Sequence, residues 1–181
     1  RTTTPFNAGK WLKGAGGVAS ITIDRDDVKL GTMSLVLYSN LAIGGGISSY
    51  EVVHQIAKQG NDEAARDRRF DVTLLINGLP IVQIELKQVR AKDGIYQAFN
   101  QIKKYSEEGM FSGNIFSTLQ LFVISNEQTT RYFANAKPSQ MDRKYLFSWR
   151  TKDNIKVDNL YEFAKQMLNI PDAHRLIANY T

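Results

Sequence analysis

The chain contains no cysteine and only two histidines among its 181 residues. Without thiols it cannot form a disulfide framework, a cysteine-ligated zinc site or a thiol nucleophile. His54 and His174 lie far apart in the sequence, so a zinc site built from neighbouring histidines is not expected. We expect His54, which falls on a predicted strand, to be a satisfied residue of the core or of its rim.

Long apolar runs, repeats and low-complexity segments are absent as well. No run approaches the ~18 residues of a membrane-spanning helix and no signal peptide is visible, which favours a cytoplasmic protein without membrane contact. The glycine clusters at residues 14–17 and 44–46 are not followed by Lys-Ser or Lys-Thr, so the sequence shows no phosphate-binding loop for ATP. A serine-centred nucleophile elbow of the G-x-S-x-G type is also missing.

The remaining composition is that of an ordinary soluble globular domain, with 43% hydrophobic and 23% charged residues. The length suits one domain, residues 1–181. Within it we distinguish a weakly patterned amino-terminal part (1–49), a core (50–135) and a basic segment with carboxy-terminal helices (136–181). Because the chain begins at Arg1 rather than at methionine, we expect it to be a fragment of a larger polypeptide.

The net charge of +5 is concentrated in one part of the chain. Residues 131–152 carry six basic side chains against one acidic side chain, and five aromatic residues lie among them. A mixture of cations and aromatic rings is typical of nucleic-acid-binding surfaces. Arg143 and Lys144 are therefore candidate DNA contacts. The alternative is a solvated basic face whose aromatic rings pack in the core.

Hydrophobic periodicity predicts an α/β fold with a central mixed β-sheet flanked by helices. An apolar stripe at i, i+3, i+4 and i+7 predicts a helix that begins near Gly94. Further helices are predicted at residues 160–168 and 173–178, and strands at residues 50–57, 70–76, 81–86, 118–124 and 130–134, with short β-prone pieces at 21–23 and 34–38.

The sequence Asn-Gly-Leu-Pro at residues 77–80 joins two of these strands and predicts a hairpin. The length of the turn decides which residue lies opposite Glu85. A two-residue turn places Glu85 opposite Phe70, whereas a four-residue turn places it opposite Val72. A three-residue loop places it opposite Asp71.

The last register would bring two carboxylates within ~5 Å of each other, where they repel unless a cation lies between them. Oxygen ligands without histidine or cysteine favour Mg²⁺, or Mn²⁺, over zinc. Lys87 follows Glu85 by two residues, so its ammonium can orient a metal-bound water and stabilise charge on a phosphate. Asp71, Glu85 and Lys87 thus suit phosphodiester hydrolysis. The alternative is the surface side of an edge hairpin with scattered charges.

The helix after the hairpin carries Gln101 and Tyr105 four positions apart, hence on one face. Their amide and hydroxyl groups are neutral donors for a phosphate or for the metal-bound water. Lys103 and Lys104 can add phosphate contacts from the neighbouring surface. The alternative is that Tyr105 packs at the edge of the core while Gln101 is solvated.

Together these residues resemble the PD-(D/E)xK nuclease superfamily, a restriction-endonuclease-like fold. Asp71 followed by residues 85–87 (Glu-Leu-Lys) is similar to its core motif, and residues 101–105 resemble the Q-x-x-x-Y motif of its RecB-type branch. The sequence around these motifs also resembles the amino-terminal nuclease domain of the R (restriction and motor) subunit of type I restriction enzymes. The segments that carry this likeness are residues 70–80, 84–87, 97–102, 122–126 and 130–134.

The resemblance implies Mg²⁺-dependent cleavage of double-stranded DNA. By that analogy Asp71, Glu85 and the backbone carbonyl of Leu86 bind the metal, and Lys87 serves the attacking water. By the same analogy, Gln101 and Tyr105 support the site and its binding of DNA. It also implies a motor region of the same polypeptide, which uses ATP, and partner subunits for methylation and specificity.

Two features depart from the family pattern. Phe70 stands where the signature has proline, a position without chemistry, and an upstream helical acid cannot be placed, with Glu51 a candidate by location alone. Two alternative functions are a nuclease-like DNA-binding or docking module that is inactive in isolation, and a repair-type nuclease of the same superfamily.

Overall fold

The structure, a computed structural model, describes residues 4–41, 43–59 and 67–180. It begins with helix α1 (Pro5–Lys13) and a hairpin of strands β1 (Val18–Asp24) and β2 (Thr32–Ser39). The hydroxyl of Thr4 accepts a hydrogen bond from the Asn7 amide and caps α1. The sequence predicted no helix here, and the β-prone pieces at 21–23 and 34–38 are parts of longer strands.

The centre of the fold is a five-stranded sheet. Its strands, in spatial order, are β3 (Tyr50–Lys58), β4 (Arg68–Ile76), β5 (Leu79–Leu86), β6 (Leu121–Ser125) and β7 (Thr130–Ala134). Neighbours are antiparallel except for β5 and β6, which are parallel. Helix α2 (Gly94–Glu107) connects this parallel pair.

The carboxy-terminal part adds a short strand pair, β8 (Trp149–Arg150) and β9 (Lys156–Val157), and further helical segments. Helix α3 (Leu160–Phe163) continues as a π-helical turn (Ala164–Leu168) and is followed by helix α4 (Asp172–Tyr180). Among the described residues, no helix is both long and apolar enough to cross a membrane.

The sheet separates two hydrophobic cores. On one face the aromatic side chains of the strands pack against α2, with Phe70, Phe99 and Phe122 buried together. On the other face the amino-terminal hairpin and the carboxy-terminal helices cover β5 and β6, with Tyr38 and Phe163 among the buried residues. The predicted α/β fold, a mixed sheet flanked by helices, is therefore confirmed.

Two predicted elements have different bounds in the structure. The apolar run at 118–124 is a strand only from Leu121, because Ile115–Thr118 forms a 3₁₀ turn. The hydroxyl of Thr118 closes this turn by donating to the Ile115 carbonyl at 2.7 Å. The helix predicted at 160–168 is α-helical for one turn and then widens into the π-helical turn.

The hairpin of β4 and β5 combines two of the registers considered from the sequence. Its turn has two residues, Asn77 and Gly78, which both have left-handed backbone (φ 51° and 76°). Beyond the pair Leu75–Pro80 the register shifts by one residue, because Ile81 is an extra residue on β5. The two-residue turn is thus correct, but the register that it implied is wrong beyond Leu75.

Past this bulge, Thr73 pairs with Gln83 and Val72 with Ile84. The next rung in this register has Asp71 opposite Glu85. The three-residue loop predicted the same rung from a turn that the structure does not contain.

Candidate active site

Asp71 and Glu85 lie on neighbouring strands at one end of the sheet. Their strands β4 and β5 are antiparallel and paired as far as Val72 and Ile84, and the continuation of this register places Asp71 and Glu85 on the next rung. Glu85 is buried, with 2% of its surface exposed, whereas Asp71 is half-buried. The Asp71 carboxylate accepts a hydrogen bond from the backbone amide of Leu86 at 2.8 Å, which ties the two strands together at this point.

The strand β3 is distorted beside this rung. Gln55 occupies the position opposite Asp71, and it has a left-handed backbone with φ 57°. The regular alternation of β4 is interrupted here too, since Phe70, Thr73 and Ile76 are its buried residues. The buried side chains of β4 therefore do not follow the strict alternation of every second residue that the sequence pattern assumed.

Lys87 follows β5 and turns back toward the carboxylates. Its ammonium donates to Glu85 Oε1 at 3.0 Å and to Gln101 Oε1 at 2.6 Å. Its backbone amide donates to the Ser125 carbonyl at 2.9 Å, which fixes it to the end of β6. A Cβ atom on Gly94 would lie 3.3 Å from Lys87 Cβ, so a glycine at the start of α2 leaves room for the lysine.

Gln101 and Tyr105 extend this contact chain along α2. The side-chain amide of Gln101 donates to the Tyr105 hydroxyl at 2.7 Å. Tyr105 is buried in the core against Phe70, with ring centroids 6.0 Å apart. The expectation that Tyr105 packs at the edge of the core is correct, but Gln101 is not simply solvated, because it contacts both Lys87 and Tyr105.

Sequence reasoning missed the ion pair that closes this chain. The Arg68 guanidinium lies 5.1 Å from the centre of the Tyr105 ring. It also donates to both carboxylate oxygens of Glu108, with Nε 2.7 Å from Oε2. Arg68 lies at the start of β4 and Glu108 directly after α2, so no local pattern in the sequence relates them.

The electrostatics of the site centre on Glu85. Burial and the negative charge of Asp71 raise the pKa of Glu85 to about 7, although hydrogen bonds from Lys87 and Gln101 oppose the rise. Burial also raises the pKa of Tyr105, with a contribution from the Glu85 charge. The site therefore has an excess of negative charge that its own lysine does not fully compensate.

This charge distribution fits a divalent cation. Two carboxylates lie on neighbouring strands here, and burial together with the Asp71 charge disfavours the ionised form of Glu85 and raises its pKa. Among the described residues, no group of three or more histidine, aspartate or glutamate side chains could hold a metal ion. A cation at this rung would therefore complete its coordination with backbone or water oxygens, and the Leu86 carbonyl remains the predicted backbone ligand.

Glu51 does not belong to this site. It is exposed and pairs with Leu75, at the far end of β3 from the rung of Asp71 and Glu85. Four residues separate it from Gln55, which corresponds to about 13 Å along a strand. His54, also on β3, is exposed rather than part of the core, because β3 is the edge strand of the sheet.

The predicted DNA contacts are distributed around α2. Arg143 stacks on the Tyr96 ring at 4.8 Å, and with the first turn of α2 it lines a cleft of about 390 Å³. Lys144 is exposed and pairs with Asp142 at 3.6 Å. On α2 itself, Lys103 donates to a backbone carbonyl at 3.4 Å and Lys104 is exposed.

Comparison with known proteins identifies relatives of one kind. Residues 16–141 match the family described as Type I restriction enzyme R protein N terminus. The type I restriction enzyme EcoprrI endonuclease subunit of Escherichia coli is 40% identical over 129 residues, which cover 70% of this chain and 41% of that protein. An endonuclease subunit of a type I restriction enzyme from Staphylococcus aureus strain COL is 39% identical over 126 residues, covering 70% of this chain and 13% of that protein.

A putative type I restriction enzyme endonuclease subunit from Methanocaldococcus jannaschii is 24% identical over 118 residues. The chain spans less than half the length of each of these three relatives. The residues around the acidic rung, from Arg68 to Glu108, all lie inside the range that matches the family, whereas Arg143 and Lys144 lie just beyond it.

Proposed function

Because the chain belongs to the family of type I restriction enzyme R protein N termini, we propose that it is a metal-dependent endonuclease domain that cleaves double-stranded DNA. The relatives are named as endonuclease subunits, which supports the reaction class. The observation that carries the proposal is the rung of Asp71 and Glu85 with the Lys87 ammonium 3.0 Å from Glu85. This geometry supports the PD-(D/E)xK site that the resemblance of the sequence implies.

We assign the metal as Mg²⁺, with Mn²⁺ as a substitute, because the ligands on offer are oxygens. Asp71, Glu85 and the Leu86 carbonyl would hold it. When bound, such an ion activates a water molecule and neutralises charge on the scissile phosphate.

The side chains of this chain then have separate tasks. Lys87 orients the attacking water and offers a positive charge to the phosphate, since its ammonium is already directed to the carboxylates. Gln101 holds that ammonium from the opposite side at 2.6 Å. Tyr105 fixes the Gln101 amide, and the Arg68–Glu108 ion pair fixes the Tyr105 ring.

The surface around α2 is our proposed DNA-binding surface. Arg143 and Lys144 would contact phosphates beyond the cleft, and Lys103 and Lys104 would contact them along the helix. Phosphate contacts make binding depend on salt, with a slope of about −0.9 for each contact in the logarithmic plot.

By the same proposal the domain works inside a larger assembly. A motor region of the same polypeptide would use ATP, and methylation and specificity subunits would select the DNA, in a prokaryotic cytoplasm. We assign the use of ATP to that motor region and not to the residues of this chain.

The test of the proposed function is cleavage of plasmid DNA with Mg²⁺ or Mn²⁺, by this chain and by the assembled restriction complex. We expect Asp71→Asn, Glu85→Gln and Lys87→Ala each to lower the rate by about 100-fold or more. Glu51→Gln, an exposed acid on the same sheet, is the matched control and should retain wild-type activity. A complex that still cleaves with Glu85→Gln would refute the site.

The proposed DNA surface has its own test. The double variant Arg143→Ala, Lys144→Ala should weaken DNA binding and reduce the salt slope by about 2, while Lys29→Ala, on an exposed turn, changes neither. Unchanged binding at low salt would show that this surface does not contact DNA. A complex that binds DNA through it but cleaves under no condition would instead support a docking module.

A further inference from the structure

One extra residue in the β4–β5 hairpin decides whether the two carboxylates face each other. Without the bulge at Ile81, the two-residue turn would continue a regular register and place Glu85 opposite Phe70. A shift of one residue exchanges the faces of a strand, so the Glu85 carboxylate would leave the face that carries Asp71. The catalytic rung therefore exists only in the bulged register.

A buried polar pair lies one rung away from the carboxylates. The hydroxyl of Thr73 donates to Gln83 Oε1 at 2.7 Å, and the Gln83 amide donates to the Ile84 carbonyl at 3.2 Å. The exposed fractions of Thr73 and Gln83 are 0% and 1%. Polar side chains are unusual at the centre of a buried sheet, where apolar residues would pack equally well.

This pair distinguishes the two registers. In the bulged register Thr73 lies opposite Gln83 and the two side chains satisfy each other. In the regular register Thr73 would lie opposite Val82, so its hydroxyl and the Gln83 carbonyl oxygen would be buried without this partner. A buried polar group that loses its hydrogen bond disfavours the state that contains it.

The bulge itself is anchored from the neighbouring segment. The hydroxyl of Thr118 shares its one hydrogen between the Ile115 and Pro80 carbonyls, at 2.7 and 2.8 Å, and the backbone amide of Gln120 donates to the Ile81 carbonyl at 3.0 Å. These bonds fix the backbone of the extra residue, but they do not contact β4. The register of β4 against β5 therefore depends on the pairing of the two strands, on the hydrogen bond from the Leu86 amide to Asp71 and on the polar pair.

We infer that Thr73 and Gln83 are positioning residues that select the bulged register and so place Asp71 and Glu85 on one rung. Neither residue touches the metal or the DNA in this inference. It rests on the proposed function for its catalytic consequence, but the register itself is a property of the metal-free chain.

The test uses the double variant Thr73→Val, Gln83→Met in the full 181-residue chain. Both exchanges are close in volume and remove the two polar groups together, so the melting temperature should stay near that of the wild type. Cross-strand NOEs measured by NMR without metal should show a second register, in which residue 73 faces Val82. Binding of Mn²⁺ measured by calorimetry should weaken by roughly 10-fold, and cleavage by the assembled complex should fall roughly 100-fold.

Thr73→Ser keeps the hydroxyl and should retain the register, Mn²⁺ binding and cleavage of the wild type. Thr22→Val, the same exchange on the exposed strand β1, is the control for threonine loss. Thr73→Val alone is the milder variant should the double variant fail to fold, and it should also show the second register.

A Thr73→Val variant or double variant that keeps only the bulged register, with unchanged Mn²⁺ affinity, would overturn the inference. The failure of the proposed function would look different. In that case the wild-type complex would not cleave DNA, while the NOEs of the variants would still reveal the second register.

Discussion

On each face of the central sheet a buried side chain has a shifted pKa, Glu85 on one face and His174 on the other, and the two shifts have opposite consequences. On the face covered by α2, Glu85 has a neighbouring carboxylate and a lysine, and burial together with the Asp71 charge raises its pKa to about 7. On the other face, His174 lies between Tyr38 and Tyr50, and burial lowers its pKa. The Tyr50 hydroxyl is 2.9 Å from His174 Nδ1.

The difference shows what makes a buried group a candidate for chemistry. His174 is stable as the neutral imidazole, and among its described neighbours it has aromatic rings and hydroxyls rather than charges. The surroundings of Glu85 disfavour its ionised form, because burial and the Asp71 charge raise its pKa. A cation beside the carboxylate would favour the ionised form. Burial alone is common to both, whereas a second carboxylate on the same rung is found only at Glu85.

The largest expected effect comes from removing the charge of Glu85. Glu85→Gln should abolish Mg²⁺-dependent cleavage while it stabilises the metal-free protein at pH 8 by about 1–3 kcal/mol, because a buried carboxylate is replaced by a neutral amide. Urea unfolding with and without Mg²⁺ measures the effect, and only the wild type should gain stability from the ion.

His174→Gln is the matched variant on the other face and should leave cleavage and the response to Mg²⁺ unchanged. A Glu85→Gln protein that is less stable than the wild type at pH 8 without metal would contradict this account of the site.

A smaller effect is expected in the pH dependence of stability. Between pH 4.5 and about 7 the unfolded chain releases the Glu85 proton while the folded chain keeps it, so rising pH lowers the free energy of unfolding by about 3 kcal/mol. His174 acts in the opposite direction, because its folded pKa is lowered. Its stabilisation is present above pH 6.5 and is lost as the pH falls through the folded pKa.

Urea unfolding of metal-free protein across this range separates the two contributions. The His174→Gln variant should show only the fall with rising pH, and the Glu85→Gln variant only the rise. Equal pH profiles for the two variants would show that the faces do not differ as described.

The smallest expected effect concerns the space beside Lys87. Gly94→Ala adds a Cβ atom 3.3 Å from the Cβ atoms of Lys87 and Ala91, so the lysine must shift slightly. We expect cleavage to fall by roughly 3- to 10-fold, with stability unchanged or slightly higher, since alanine favours helices over glycine. Wild-type cleavage by Gly94→Ala would show that Lys87 tolerates displacement.

Many of the helices, strands and turns could be predicted from the sequence because each is specified by residues that are close together in the chain. The apolar stripe of α2 and the Asn77-Gly78 turn each depend on residues close together in the chain. Helix α1 was missed although Thr4 and Pro5 are typical of a helix start, because the glycines that follow obscured it.

The candidate site was predictable only in part. The motif identified Asp71, Glu85 and Lys87, but their common rung depends on a bulge at Ile81 that no turn rule contains. Arg68 and Glu108 are forty positions apart, and only the packing of α2 on β4 brings them together. Hydrophobic periodicity predicts individual strands and helices, whereas the bulged register and the Arg68–Glu108 ion pair depend on contacts between elements.

The contact chain from Glu85 to Arg68 joins residues of two elements that are distant in the sequence, the β4–β5 hairpin and helix α2. The acidic rung forms within one hairpin, but Lys87 is held by Gln101 on a helix that follows later in the chain. Without docked α2, Lys87 would keep its contacts to Glu85 and to the Ser125 carbonyl but would lose its hydrogen bond to Gln101. The geometry around Lys87 therefore depends on the docking of α2 as well as on the hairpin that carries the two carboxylates.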